Sequence, residues 1–354
     1  MSSTAIDDFR AQILQRRPLR IRGGGSKDFY GGKLDGELLD TRGHSGIVSY
    51  QPSELVVTVK GGTAVHELEL ALATRRQFLA FEPPRFGADP ATTTVGGAVA
   101  AGLSGPRRAS VGALRDFVLG MRVMDGLGRE MKFGGEVMKN VAGYDVSRLM
   151  AGSMGTLGVI LDVSLKVLPM PMLEATLRIE TNQARALELM NQWGAEPLPI
   201  SATCWIAGVL SVRLSGAPPA VRAAQIRLGG VLVDAAEAQS LWTSLRDGQH
   251  EFFAGNGTLW RLSTPSVTPP LAWTKDCLIE WGGAQRWFHT AADAAEIHAL
   301  AASVGACATP FKSETQRAQT FALLAPPVLA LHQRIKAQFD PHRLFGRGRL
   351  HPEL

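Results

Sequence analysis

Leu19-Arg20-Ile21-Arg22-Gly23-Gly24-Gly25-Ser26-Lys27 reads as a short strand that ends abruptly in three glycines. Glycine bares the backbone there, so successive N–H groups can converge on a phosphate as an anion nest. Arg22 and Lys27 flank the loop with positive charge. No GxxxxGK[ST] or GxGxxG occurs, which excludes a Walker A loop and a Rossmann fingerprint. Taken alone, the triple glycine reads first as a plain flexible turn.

Two later stretches change the weighing. Between residues 83 and 112 the chain is rich in Gly, Pro, Thr and Ala, and reads as a long functional loop between flanking strands. Thr92, Thr93 and Thr94 bring hydroxyls, Gly96 and Gly97 allow close backbone approach, and Gly102 and Gly105 follow. Ala98, Ala100 and Ala101 leave room for a flat ligand. An ordinary Gly/Ala-rich loop is the plainer alternative. The third stretch is Gly152-Ser153-Met154-Gly155-Thr156-Leu157-Gly158-Val159-Ile160, three glycines spaced by three that lead into a strand. Bare N–H groups, hydroxyls and small side chains together suit a pyrophosphate-bearing cofactor.

Glycine is distributed accordingly. Of 38 in 354 residues, 25 lie in residues 1–160 and 13 in residues 161–354. The excess over an ordinary content of roughly 7% therefore belongs to the first part alone. With 45% hydrophobic and 19% charged residues the chain is neither collagenous nor disordered. Its length favours two domains. The net charge of +5 is scattered, with no run of five basic residues, which argues against nucleic acid and suits an anionic ligand. Three cysteines, Cys204, Cys277 and Cys307, form no CxxC and cannot supply the four ligands of an iron–sulfur cluster. No 18-residue apolar run and no secretory leader are visible, so a cytoplasmic location is expected.

Residues 5–16 read as a helix and 55–60 as a strand. Thr63 is expected to cap the helix that follows. Residues 78–81, 117–125, 129–133 and 159–168 read as further strands, with a hairpin turn at 126–128. Pro169-Met170-Pro171 marks a boundary. Beyond it strands and helices mix, as in an antiparallel sheet with helices on one side. A last helix covers about 327–339.

The order RGGGS, then TxGGxxAxG, then GYDxSRLxxGSxGTLGVI over residues 18–170 resembles the PCMH-type (vanillyl-alcohol-oxidase-type) FAD-binding domain. FEPP (81–84), GLSGPRR (102–108), FGGEVMKNVAGYDVSRLMAGSMGTLGV (133–159), GTLWRLS (257–263), IEWGGAQRW (279–287) and FDPHRLFGRGRL (339–350) make a narrower match. They are similar to the FAD-binding E subunits of bacterial glycolate oxidase, also called glycolate dehydrogenase. The resemblance implies an α+β protein. A two-lobed FAD domain over 1–170 is followed by a smaller α+β cap domain with an antiparallel sheet over 171–325. A helix and tail over 326–354 return to the FAD domain.

It also implies FAD held by Arg22, Gly23, Gly24, Gly25, Ser26 and Lys27. Thr93, Thr94, Gly96, Gly97, Ala100, Gly102 and Gly105 would line it from the second loop, and Ser153, Gly155, Gly158, Val159 and Ile160 from the third. Some members carry a histidine at the position of Ser26 and attach flavin through it; serine cannot, so the FAD is expected to be non-covalent. Gly346-Arg347 stands where Asn-Pro is usual in the closing motif.

The implied reaction takes glycolate to glyoxylate, or another small 2-hydroxy acid such as D-lactate to its oxo acid. The implied partners are a larger FAD-binding subunit and an iron–sulfur subunit. Any membrane contact would be peripheral, on the inner face, and made through them. Catalytic residues do not stand out. The eight histidines (His44, His66, His250, His289, His298, His332, His342, His351) show no paired metal spacing, and the family's histidine cluster is absent. Arg286 and Trp287, beside Gly282-Gly283, line a pocket over the flavin or else belong to a hairpin packed on the core. A self-sufficient FAD-dependent alcohol or hydroxy-acid enzyme, and a structural flavin-fold scaffold, remain open.

Overall fold

The computed structural model describes residues 4–87, 89–135, 145–274, 276–312 and 321–354. The chain divides into two compact units. One comprises Met1–Leu103, Ala113–Pro169 and Gln316–Leu354; the other comprises Ser104–Gly112 and Met170–Thr315.

The first unit opens with helix α1 (Ala5–Leu14), closed at its N-terminus by a Thr4–Asp7 capping box. Strands β1 (Leu19–Arg22) and β2 (Glu37–Asp40) pair in parallel. β3 (Ile47–Gln51) and β4 (Val56–Lys60) begin a second, antiparallel sheet. Helix α2 (Val65–Ala73) follows, but Thr63 does not cap it. The Thr63 side chain is fully buried and bonds the backbone of Gly46, accepting from its N–H at 2.8 Å, and Ala64 occupies the cap position. The stretch expected as a strand at 78–81 is a two-residue pairing of Gln77–Phe78 with Leu168–Pro169.

The expected long loop contains helix α3 (Val95–Ala101), capped by the Thr94 hydroxyl and ended by Gly102 at φ 65°. Small residues reading as loop are thus helical, because Ala98, Val99 and Ala101 are buried. β5 (Val118–Met124) and β6 (Glu130–Gly134) form the expected hairpin. Its turn is held by Asp125, whose carboxylate accepts from the N–H groups of Leu127 and Arg129, each at 2.9 Å. β7 (Val159–Lys166) lies between β4 and β5, giving the order β3-β4-β7-β5-β6, antiparallel throughout.

The second unit is built on one eight-stranded antiparallel sheet. Its strands are β8 (Leu173–Glu180), β9 (Ile200–Ile206), β10 (Val209–Gly216), β11 (Val231–Leu232), β12 (Thr258–Ser263), β13 (Cys277–Glu280), β14 (Gln285–Thr290) and β15 (Cys307–Lys312). Their order is β11-β8-β10-β9-β13-β14-β12-β15. Four longer helices accompany it: α4 (Gln183–Gly194), α5 (Pro218–Leu228), α6 (Ala235–Arg246) and α7 (Ala294–Ser303). Leu187 and Met190 of α4, Val221 of α5 and Ile297 of α7 share one core with Leu210, Val212, Trp260 and Phe288 of the sheet.

The expectation of helices on one side holds for those three only. Helix α6 packs through Trp242, whose indole N–H donates to Thr176 Oγ1 at 2.9 Å and whose ring lies 5.0 Å from the Arg213 guanidinium. Thr176 and Arg213 alternate with the core residues Leu177, Val212 and Leu214, so they lie on the opposite face. Segment Ser104–Gly112 belongs to this unit because its groups are bound there. The Gly105 carbonyl accepts from the Trp281 indole at 3.1 Å, Arg108 stacks 4.4 Å from that ring, and Arg107 pairs with Glu174.

Helix α8 (Pro326–Phe339) and the residues after it are part of the first unit. Phe345 bridges Leu19 in parallel, and Leu344 and Phe345 share a core with Phe9, Ile13, Leu39 and Val159.

Candidate functional site

β1 delivers the triple-glycine loop to one side of a cleft of about 760 Å³, part of it open to solvent. Arg22, Gly23, Gly24, Gly25, Ser26 and Lys27 line it, as do Thr94, Gly96, Gly97, Ala100, Gly155, Gly158 and Ile160. Three stretches far apart in sequence therefore meet at one place.

The loops interlock through glycine. A Cβ on Gly24 would sit 1.6 Å from the Thr92 carbonyl oxygen, and one on Gly23 would sit 2.1 Å from Thr94 Oγ1. Close approach of the second loop, rather than of a ligand, is what demands glycine at these two positions.

The amides fall into two classes. Those of Gly23, Gly24, Gly25 and Ser26 donate to no described residue, so four consecutive N–H groups in the cleft wall are left for an anion to take. Those of Gly96 and Gly97 are already used, by the Gly61 carbonyl at 2.8 Å and by Thr94 Oγ1 at 3.2 Å. The expectation of bare N–H groups in the second loop is corrected accordingly: it contributes close walls and a helix cap.

Other expected contacts stand behind the cleft. Thr93 is buried and its hydroxyl donates to Ser26 Oγ at 3.0 Å, which also accepts from Lys27 Nζ at 3.2 Å. Gly102 ends α3, Ser153 is buried, and Val159 is in the core that Leu19 of β1 shares. Gly105 falls in the other unit, where its carbonyl accepts from the Trp281 indole at 3.1 Å. Residues 136–144 of the quoted motif FGGEVMKNVAGYDVSRLMAGSMGTLGV lie outside the described residues.

Charge at the cleft comes from Arg22, Lys27, Asp28 and Arg349. Arg22 Nε and Asp28 Oδ2 pair at 2.9 Å. Three cations against one carboxylate favour an anion. Arg349, missed in the sequence, is buried and donates to the carbonyls of Lys27, Asp28 and Gly32. Its sequence signal is its place at the end of the closing motif, two residues after Gly346-Arg347. Elsewhere in the unit, Asp162 receives His44 Nε2 at 3.1 Å and Arg122 Nε at 2.7 Å. Burial pushes its carboxyl up, and those two partners more than offset this, holding its pKa below the ordinary value.

Arg286 and Trp287 are corrected as catalytic candidates. Arg286 is fully buried, and its guanidinium donates to the carbonyls of Thr268, Pro269 and Gly283. The Trp287 indole donates to Glu280 at 2.9 Å. Both serve the fold of the second unit. His289 and His250 bond the backbone of Phe252, and His66 and His342 are exposed. Among the described residues no group of three His, Cys, Asp or Glu could hold a metal, and no helix is long and apolar enough to cross a membrane.

The FAD binding domain family matches residues 10–134. Glycolate oxidase subunit GlcE of Escherichia coli (strain K12) is 44% identical over 353 residues, covering 100% of this chain and 98% of that one. The chain belongs to the glycolate oxidase GlcE family. Glycolate oxidase subunit GlcD of Bacillus subtilis (strain 168) is 33% identical over 134 residues, 37% of this chain and 27% of that one. A solved alkyldihydroxyacetonephosphate synthase superposes with TM-score 0.68 at 13% identity, covering 96% of this chain and 74% of that one, a likeness of fold. FAD is the cofactor of this GlcE-family chain, an FAD-dependent oxidoreductase subunit acting on CH–OH donors. The nest of amides and the excess positive charge fit the cofactor's pyrophosphate.

Proposed function

We propose that this chain is the smaller FAD-carrying subunit of a multi-subunit glycolate oxidase. In that assembly glycolate, and other small 2-hydroxy acids such as D-lactate, lose two electrons and two protons to become the oxo acid. The full-length identity to a GlcE subunit carries this reading. A GlcD subunit and a D-lactate dehydrogenase of Anaerostipes hadrus among its partial relatives support the partner and the substrate class.

Bound FAD supplies the electron-accepting chemistry. The chain's own groups bind and orient it: the amides of Gly23 to Ser26 and the cations Arg22, Lys27 and Arg349 receive the pyrophosphate. Ser26 offers a hydroxyl rather than an imidazole, so the flavin is held without a covalent bond. Cys204 and Cys277 are buried and Cys307 is exposed, too few thiols for a cluster, which supports an iron–sulfur partner taking the electrons onward. Membrane contact, in this reading, is peripheral and made by the partners.

The test is the purified chain. It should be yellow, carry about one FAD, and release it on acid precipitation. Glycolate should bleach that flavin in the complex. Colourless protein that takes up no FAD would sink the reading.

A further inference from the structure

We infer that Arg349 is a cofactor-positioning residue, and that the segment after α8 is a working wall of the FAD site. The inference deepens the proposed function and rests on its FAD reading. The residue is only 6% exposed. Nη1 donates to Gly32 O at 2.5 Å and Asp28 O at 3.3 Å; Nη2 donates to Lys27 O at 3.1 Å and Asp28 O at 3.3 Å. The carbonyls of Lys27 and Asp28 immediately follow the four amides of the nest, so the fork sets its exit.

Its hydrogen-bond partners are neutral carbonyls, and the Asp28 carboxylate acts on it only through space. Asp28, the carboxylate that lines the cleft, is paired through its side chain with Arg22 and offers Arg349 its backbone. A buried cation compensated by carbonyl dipoles is costly to hold. An anion arriving in the cleft that Arg349 lines relieves that cost. The arginine therefore holds the loop before binding and gains a counter-charge on binding.

Three proteins are compared by calorimetric titration of flavin-stripped protein: wild type, Arg349→Met and Arg349→Lys. Each is titrated with FAD and with adenosine diphosphate, which carries the pyrophosphate without the flavin. In Arg349→Met both affinities should fall by the same factor, roughly 10- to 100-fold. In Arg349→Lys, which keeps the charge and loses the fork, the loss should be smaller. Unchanged FAD affinity in Arg349→Met overturns the inference, as does a folded Arg349→Lys that binds no FAD. If Arg349→Met does not fold, Arg349→Lys decides; if neither folds, the residue is structural and the inference falls. Wild type that binds neither ligand would instead overturn the FAD reading itself.

Discussion

The ammonium of Lys336 lies 2.7 Å from the carbonyl oxygen of Thr156, and so ties α8 to the glycine loop that enters β7. Lys336 also donates to Phe345 O at 2.7 Å and Asp340 Oδ2 at 2.8 Å. Both side chains of that ion pair are essentially inaccessible. Lys336→Met leaves the Asp340 carboxylate buried without its cation, and is expected to cost about 3–5 kcal/mol. Urea unfolding of the apo protein measures it. Adding Asp340→Asn should recover part of the loss, and a loss below about 1 kcal/mol would contradict the assignment.

Gly24→Ala should lower both the melting temperature of the apo protein and its flavin content, because the added Cβ meets the Thr92 carbonyl at 1.6 Å. Ser26→Ala leaves the buried Thr93 hydroxyl without its acceptor and should cost about 1 kcal/mol, less than Gly24→Ala. Parallel melting curves and flavin absorbance distinguish them. Equal stability of Gly24→Ala and wild type would refute the interlock.

Asp162 sets an acid dependence. Its folded pKa is depressed below 3.8, so the stability it contributes is full above that value and is lost as pH falls through the folded pKa. Asp162→Asn should be less stable than wild type near neutrality, and the difference should shrink below about pH 4. Urea unfolding of both proteins across pH measures this, and a difference constant from about pH 6 to about pH 3 would exclude the role.

Arg286→Leu should destabilise the second unit by about 3 kcal/mol or more, since three carbonyls lose a buried donor. In the assembled complex, the folded variant should keep the KM for glycolate. A raised KM with unchanged stability would return Arg286 to the substrate site.

The antiparallel sheets and the hairpin at Asp125 are legible in the sequence because alternation and turn residues are local signals. The glycine loop is legible as a candidate site only beside the two later stretches, because a triple glycine alone reads as a flexible turn. α3 is not, since its Gly and Ala content reads as loop and only burial of Val95 and Val99 makes it a helix. Arg349 is legible only as the final arginine of the closing motif, and nothing in that motif says what its side chain meets until the segment is placed. Arg286 misleads for the same reason: a cation beside two glycines looks the same in sequence whether it faces a ligand or a set of carbonyls.

Leu19 and Phe345 are neighbours in space, yet the whole second unit separates them along the chain. Vectorial synthesis therefore makes the first strand of the cofactor unit early and its neighbour only after that unit has left the ribosome. Until then the nascent chain has the nest but lacks Lys336 and Arg349. On the inference made for Arg349, firm flavin loading waits until the segment after α8 has been made, and retained flavin would report that both halves of the cofactor unit have met.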